Sequence, residues 1–199
     1  MDKKRIVYYM NQFFGQIGGE EDAGVGFSVS EKPVGPAVIA DNLLKDTGGV
    51  VACIICGDNY MADNPESAVE EGIKLIEKYK PDLFIAGPAF NAGRYGINCG
   101  LMCKEVSEKL HIPTVTGMYP ENPGADMYRK YTYIIKTDIT AADAKNAIPK
   151  MIDIGIRLLK GEEIGPAKYE GYIKRDLLTS ALRWSRVNFF GISTSTFTY

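Results

Sequence analysis

The sequence has little histidine, no long apolar run and no excess of either charge, and each shortage excludes a class of protein. Its 199 residues include one histidine and carry a formal net charge of -2, with basic residues interspersed among acidic ones. A nucleic-acid-binding protein would show a basic stripe instead, so neither DNA nor RNA is expected as a partner. No apolar run approaches the roughly 18 residues that span a bilayer, and no membrane association is expected.

Secretion signals and disulfides are not expected either. The opening stretch MDKKRIVYYMNQ turns polar before the apolar segment of a signal peptide could form, so we expect a cytoplasmic protein. The four cysteines should then be free thiols, because the cytoplasm keeps disulfides reduced.

The cysteines do not suit a zinc site. Cys53 and Cys56 are three residues apart in a predicted strand and fall on opposite faces, while Cys99 and Cys103 fall on the buried stripe of a predicted helix. We therefore expect no metal in this chain, with Cys53, Cys99 and Cys103 buried. Cys56 ends its predicted strand, and we predict that this thiol faces a ligand crevice; burial is the alternative.

Nucleotide-binding signatures and a histidine-based triad are also missing. No GxGxxG follows the first predicted strand, and no GxxxxGK[ST] occurs anywhere in the chain. His111 lies between a predicted helix and a predicted strand, at the edge of the sheet opposite the expected crevice. We interpret it as a helix-end histidine stabilised by the helix dipole.

Apolar runs alternate with helical patterns and turn signals along the chain. The runs show no polar alternation, which is typical of strands covered on both faces. Such an order predicts an α/β fold, a doubly wound three-layer sandwich with a mainly parallel sheet, flavodoxin-like or Rossmann-like. Strands are predicted near residues 5–10, 50–56, 82–87, 113–117 and 131–136. We assign the α/β domain to residues 1–175 and an atypical C-terminal tail to residues 176–199.

The helix signals are uneven. Asn64 and Pro65 mark the start of one helix, and a second helix is predicted to end near Leu110. A third helix is predicted to start at Thr140, where the sequence resembles a capping box. This helix contains Pro149, which should kink it or mark the start of a new helix.

Ligands of open α/β sheets bind beyond the carboxyl ends of the strands, so the loops that leave the strands hold the candidate site. Four glycine-rich loops there combine open backbone with polar side chains, at residues 11–21, 56–60, 87–96 and 117–126. Each loop taken alone could also be an ordinary turn. Arg94 could bind an anion or form a surface ion pair. No residue is assigned a catalytic role. The candidate binding or crevice residues are Asn11, Gln12, Gly18, Gly19, Glu20, Cys56, Asp58, Asn91, Arg94, Tyr95, Glu121, Asn122 and Asp126.

The same loops resemble the selenoprotein subunit of component B of the glycine, sarcosine and betaine reductases. The likeness covers about residues 5–175, and its longest shared strings are YMNQFFGQIGGEE, AGPAFNAGRY and TGMYPENPGADM. It implies an oxidoreductase subunit of Stickland-type amino-acid fermentation in an anaerobe. In that family, component B binds a small amine substrate, and a pyruvoyl group on a partner subunit forms a Schiff base. Selenocysteine chemistry with selenoprotein component A then cleaves the C–N bond, releasing ammonia or an amine and leading to acetyl phosphate.

The chain departs from the family in its second half. Family members are considerably longer and carry there a selenocysteine motif that this sequence lacks, so no cofactor is expected in this chain. Two hypotheses follow: a subunit or N-terminal portion of component B that is inactive alone, or a truncated, non-catalytic binding or structural domain. Truncation, a frame shift and a natural short subunit stay open. So do the choice among glycine, sarcosine and betaine and the oligomeric state, a homo-oligomer included.

Overall fold

The apolar runs form the strands of one sheet in the computed structural model, which describes residues 3–175. The predicted tail at 176–199 lies outside the described residues. The strands are β1 (Lys4–Asn11), β2 (Ser28–Ser30), β3 (Gly48–Cys56), β4 (Leu83–Phe90), β5 (Thr114–Met118) and β6 (Tyr133–Lys136). All five predicted strands are present, with bounds that differ from the prediction by at most three residues, the largest difference being at the end of β4.

The strand order is β2-β3-β1-β4-β5-β6. Every neighbouring pair is parallel except β2 and β3, which are antiparallel. Without β2, the order of the five parallel strands is that of the flavodoxin-like doubly wound fold, in which the first strand lies between the second and the third. The predicted α/β class is confirmed, and the strand order selects the flavodoxin-like alternative.

Helices cover both faces of the sheet. The α1 and α6 helices pack together on one face, and α2 to α5 cover the other, which completes three layers. The helices are α1 (Pro36–Leu44), α2 (Asp58–Asp63), α3 (Pro65–Lys78), α4 (Gly93–Leu110), α5 (Pro123–Tyr128), α6 (Ala144–Leu159) and α7 (Ala167–Glu170).

The helix ends agree with the sequence signals in part. Asn64 and Pro65 start α3 as predicted, although the Asn64 side chain makes no capping hydrogen bond. His111 ends α4 in the left-handed conformation. The capping box predicted at Thr140 is wrong, because Thr140 precedes a short 3₁₀ turn and makes no capping bond. The α6 helix then starts at Ala144 and continues through Pro149.

The edge of the sheet at β6 is covered by the segment after α7. Ile135 forms an antiparallel bridge with Tyr172, and the Ile173 amide donates to the Ile134 carbonyl at 2.8 Å. The Arg175 guanidinium lies over the Tyr133 ring. Among the described residues, no helix is both long and apolar enough to cross a membrane.

Glycines let α4 and α5 approach at backbone distance. A Cβ added to Gly124 would lie 2.4 Å from the carbonyl carbon and oxygen of Gly96, and 2.8 Å from the Ile97 nitrogen. Contacts this short with backbone atoms cannot be relieved by rotating a side chain. The close packing of α5 against the first turns of α4 therefore depends on Gly124.

Gly124→Ala should lower the free energy of unfolding by about 1–3 kcal/mol, because the added methyl group overpacks the α4–α5 contact. Urea denaturation measures the change. Gly93→Ala is the matched control, since its Cβ would meet only Pro123, at 3.7 Å. Equal losses in the two variants would contradict the close-approach argument.

Candidate functional site

The strand order reverses beside β1, and this reversal locates the candidate site. The chain passes from β1 to β3 on one side and then to β4 on the other. Helices on opposite faces therefore leave a crevice beyond the carboxyl ends of β1 and β4. The strands β1, β3, β4 and β5 are parallel, so the four predicted loops all leave the same edge of the sheet, as expected.

Aromatic side chains fill the centre of this crevice. The Phe14 ring stacks on Tyr95 with ring centroids 5.7 Å apart and lies 6.2 Å from the Phe90 ring. Tyr95 is fully buried, and its hydroxyl has no hydrogen-bond partner. Tyr95 is therefore a wall of the crevice, and the polar candidates lie beside this aromatic cluster, towards β3.

A buried carboxyl group lies at the centre of the polar part. Asp58 follows β3 and is 7% exposed. The Asn11 amide nitrogen donates to its Oδ2 at 2.8 Å, and the Asn98 amide nitrogen donates to its Oδ1 at 3.2 Å. Burial raises the pKa of the Asp58 carboxyl, and the two amide donors oppose that rise. Asp58 thus holds a proton more readily than a solvated aspartate does.

The loop after β1 is tied to Asp58 through Gln12. The Asp58 backbone N–H donates to Gln12 Oε1 at 3.1 Å, and Gln12 Nε2 donates to the Gly19 carbonyl at 3.2 Å. Gly18 belongs to the same loop, and its Cα lies next to the Asp22 carboxylate. Gln12, Gly18 and Gly19 therefore shape the loop.

Arg94 joins three loops at the mouth of the crevice. It lies in the first turn of α4, where one terminal nitrogen donates to Asn59 Oδ1 and the other to the Glu20 carboxylate. The side chains of Arg94 and Glu20 are 50% and 70% exposed. Arg94 thus forms a surface ion pair, which is one of the two alternatives that its sequence context left open. The anion site at Arg94 stays a prediction.

Four other candidates after β4 and β5 do not join this cluster. Asn122 is buried, and its side chain accepts from the Gly124 amide at 2.9 Å while donating to the Phe90 carbonyl at 3.0 Å. It therefore caps α5 and holds the loop. Asp126 is exposed and pairs with Arg129, and Asn91 and Glu121 are exposed at the same edge.

The predicted crevice thiol is wrong. Cys56 is fully buried. Cys53, Cys99 and Cys103 are also fully buried, as predicted. Burial raises the pKa of the Cys56 thiol to about 12. The segment before β2 covers the end of β3, where the Gly57 amide donates to the Val25 carbonyl at 2.9 Å.

Sequence reasoning missed two residues of the site, Asn98 and Asn59. Asn98 is 2% exposed and lies one helical turn after Arg94, so the available signal was a polar residue inside the apolar stripe of α4. Asn59 directly follows Asp58. In residues 3–175, no group of three or more His, Cys, Asp or Glu side chains could hold a metal ion.

Comparison with known proteins gives one family. A family model described as glycine/sarcosine/betaine reductase selenoprotein B matches residues 3–186. The glycine reductase complex component B subunit gamma of Carboxydothermus hydrogenoformans is 52% identical over 89% of this chain and 41% of its own length. No solved structure shows a significant match.

Two relatives from Peptoclostridium acidaminophilum carry other substrate names. A sarcosine reductase complex component B subunit beta is 49% identical over 86% of this chain and 39% of its own length. A betaine reductase complex component B subunit beta is 40% identical over 86% of this chain and 39% of its own length. The chain thus spans about two fifths of the length of these relatives.

Replacing Asp58 by asparagine should change how stability depends on pH. The usual pKa of aspartate is 3.8 and that of folded Asp58 is raised, so ionisation costs more free energy in the folded chain than in the unfolded one. The wild type should therefore lose stability relative to Asp58→Asn as pH rises above 3.8 and through the raised pKa.

Urea denaturation between about pH 4 and about pH 7 measures this difference in the free energy of unfolding. Glu66→Gln, in the exposed first turn of α3, is the reference for the loss of one negative charge. A difference between wild type and Asp58→Asn that stays constant with pH would contradict the raised pKa.

Alkylation should find no reactive thiol in the folded protein. All four cysteines are buried, and the raised pKa of Cys56 leaves little thiolate at neutral pH. We expect iodoacetamide to label each cysteine at least about tenfold more slowly in buffer than in denaturant, as mass mapping can show. Rapid labelling of Cys56 alone in buffer would restore the crevice thiol.

Proposed function

The chain belongs to the glycine/sarcosine/betaine reductase selenoprotein B family, and on this premise we propose that it is a substrate-binding part of a component B. The observation that carries the proposal is that a guanidinium, Arg94, lies near enough to a buried carboxyl, Asp58, to lower its pKa, at the sheet edge where ligands of this fold bind. The two groups are complementary to the carboxylate and the ammonium of a small amino acid.

Arg94 is the group proposed to bind the substrate carboxylate. A guanidinium forms two parallel hydrogen bonds with a carboxylate, which fixes orientation as well as position. Glycine, sarcosine and betaine, the substrates that the relatives' names give, share a carboxylate beside the carbon that bears nitrogen. Holding the carboxylate in a fork places that carbon in a defined position relative to groups on a partner.

Bond cleavage is proposed to need groups from outside this chain. The side chains at the site are amides, carboxyls and a guanidinium, which bind, orient and polarise. We assign the carbonyl that activates the amine to a pyruvoyl group on a partner subunit, and the reducing selenol or thiol to the selenocysteine region of the family and to component A. On this proposal the chain itself carries no cofactor, and alone it does not release ammonia or amine.

A non-catalytic binding or structural domain is the second candidate. The observation that favours it is the filling of the crevice, where Phe14 stacks on Tyr95 and Glu20 pairs with Arg94. On this alternative, the chain supplies a surface to its partners but does not touch the substrate.

Reconstitution separates the two candidates. We expect component B assembled with this chain to release ammonia or amine from at least one of the three substrates, with no release when the chain is omitted or present alone. Arg94→Lys should lower this rate at least about tenfold, because a point charge does not reproduce the guanidinium fork.

Arg5→Lys is the matched control, since Arg5 is exposed at the other end of the sheet, where it bonds the Tyr79 carbonyl. It should leave the rate unchanged. Turnover by the isolated chain would refute the subunit proposal. A complex that needs the chain but tolerates Arg94→Lys would support the structural alternative.

A further inference from the structure

We propose that the Glu20 carboxylate occupies, in the free chain, the position on Arg94 that the carboxylate of a ligand takes when it binds. The loop after β1 then competes with the ligand for this guanidinium. The inference rests on the proposed function and deepens it, because it names the group that a small carboxylate ligand displaces.

The contacts of Arg94 show what a ligand would replace. Its two terminal nitrogens are both engaged, one by the Asn59 amide oxygen and the other by Glu20. Asn59 is neutral, whereas Glu20 offers the same chemical group as the ligand. A carboxylate that takes the same N–H groups of both nitrogens displaces Glu20 from one and Asn59 from the other, and of these two only Glu20 competes by charge.

Glu20 can leave without unfolding the loop. It lies in a short 3₁₀ turn that has no buried residue, and its side chain is 70% exposed. Other hydrogen bonds hold the loop in place. The Gln12 side chain donates to the Gly19 carbonyl, and the backbone N–H of Asn59 donates to the Ala23 carbonyl at 2.8 Å. Water screens an exposed pair such as Glu20 and Arg94, so the contact is weak enough for a ligand to displace.

The balance of charge favours a zwitterionic ligand. Glu20 and Asp58 are two acids beside one guanidinium, and the pKa of Asp58 responds to both, being lowered by Arg94 and raised by Glu20. A ligand with one carboxylate and one ammonium replaces the charge of Glu20 on Arg94. It also brings a cation towards Asp58. Small amino acids satisfy both groups, whereas acetate satisfies Arg94 alone.

Binding of glycine, acetate and methylammonium to the 199-residue chain tests the competition, with affinities taken from NMR titration. Glu20→Gln should increase the affinity for glycine and acetate about two- to fivefold, because the competing charge is gone. The affinity for methylammonium should not increase, since this ligand has no carboxylate. Arg94→Lys should weaken glycine and acetate.

Glu21→Gln is the matched control, because it removes the same charge one residue along the same loop. Glu21 is exposed, and its carboxylate accepts from the Gly19 amide at 3.2 Å, within the loop. It should change the glycine affinity less than twofold. Unchanged or weaker glycine binding in Glu20→Gln, equal tightening in Glu21→Gln, or no binding in any variant would each overturn the proposal.

The outcome is separable from that of the proposed function. If reconstituted component B needs the chain but Glu20→Gln does not tighten glycine, the competition is wrong and the function stands. If Glu20→Gln tightens glycine but the reconstituted complex releases no ammonia or amine, the function is wrong and the competition stands.

Discussion

The burial of the Asp58 carboxyl is the constraint on which the arrangement of this sheet edge depends. A carboxyl that is 7% exposed needs hydrogen-bond donors from the protein, because little water reaches it. The donors come from Asn11, which ends β1, and from Asn98, inside α4. One short side chain therefore fixes the end of β1, the start of α2 and the second turn of α4 relative to one another.

The same network sets the position of the loop after β1. Gln12 uses its amide oxygen to accept from the Asp58 backbone and its amide nitrogen to hold the Gly19 carbonyl. Glu20 is the next residue, so it is held near the start of α4. The ion pair with Arg94 at the surface is thus a consequence of polar contacts in the interior, and the exposed pair itself need contribute little stability.

The fold could be predicted because its signals are local. Continuous apolar runs indicate buried strands, and parallel strands bring their loops to one edge whatever the strand order. That argument placed Asn11, Asp58 and Arg94 at one edge before their contacts were known. It could not find Asn98, whose role depends on a partner 40 residues away along the chain.

Two further features of the site depend on contacts that periodicity does not report. Alternation shows which face of a strand is covered, but the end of β3 is covered by the segment around Val25, and this buries Cys56. Likewise, no sequence pattern indicated that Phe14 fills the crevice by stacking on Tyr95. Both features have one cause: a long loop folds back over the strand ends, and its path is set by tertiary hydrogen bonds.

The two edges of the sheet are short or partly covered by the chain itself, although the chain spans about two fifths of the length of its relatives. An unpaired strand edge invites association with other chains. At one edge, β3 pairs with β2, which has only three residues and is followed by Glu31, Lys32 and Pro33. At the other edge, β6 is bridged by Tyr172. Both edges are therefore short or partly covered, which limits edge-to-edge association with other chains. The apolar surface at this end of the sheet lies instead at the crevice mouth, where Phe13 is 62% exposed and contacts the Phe14 ring.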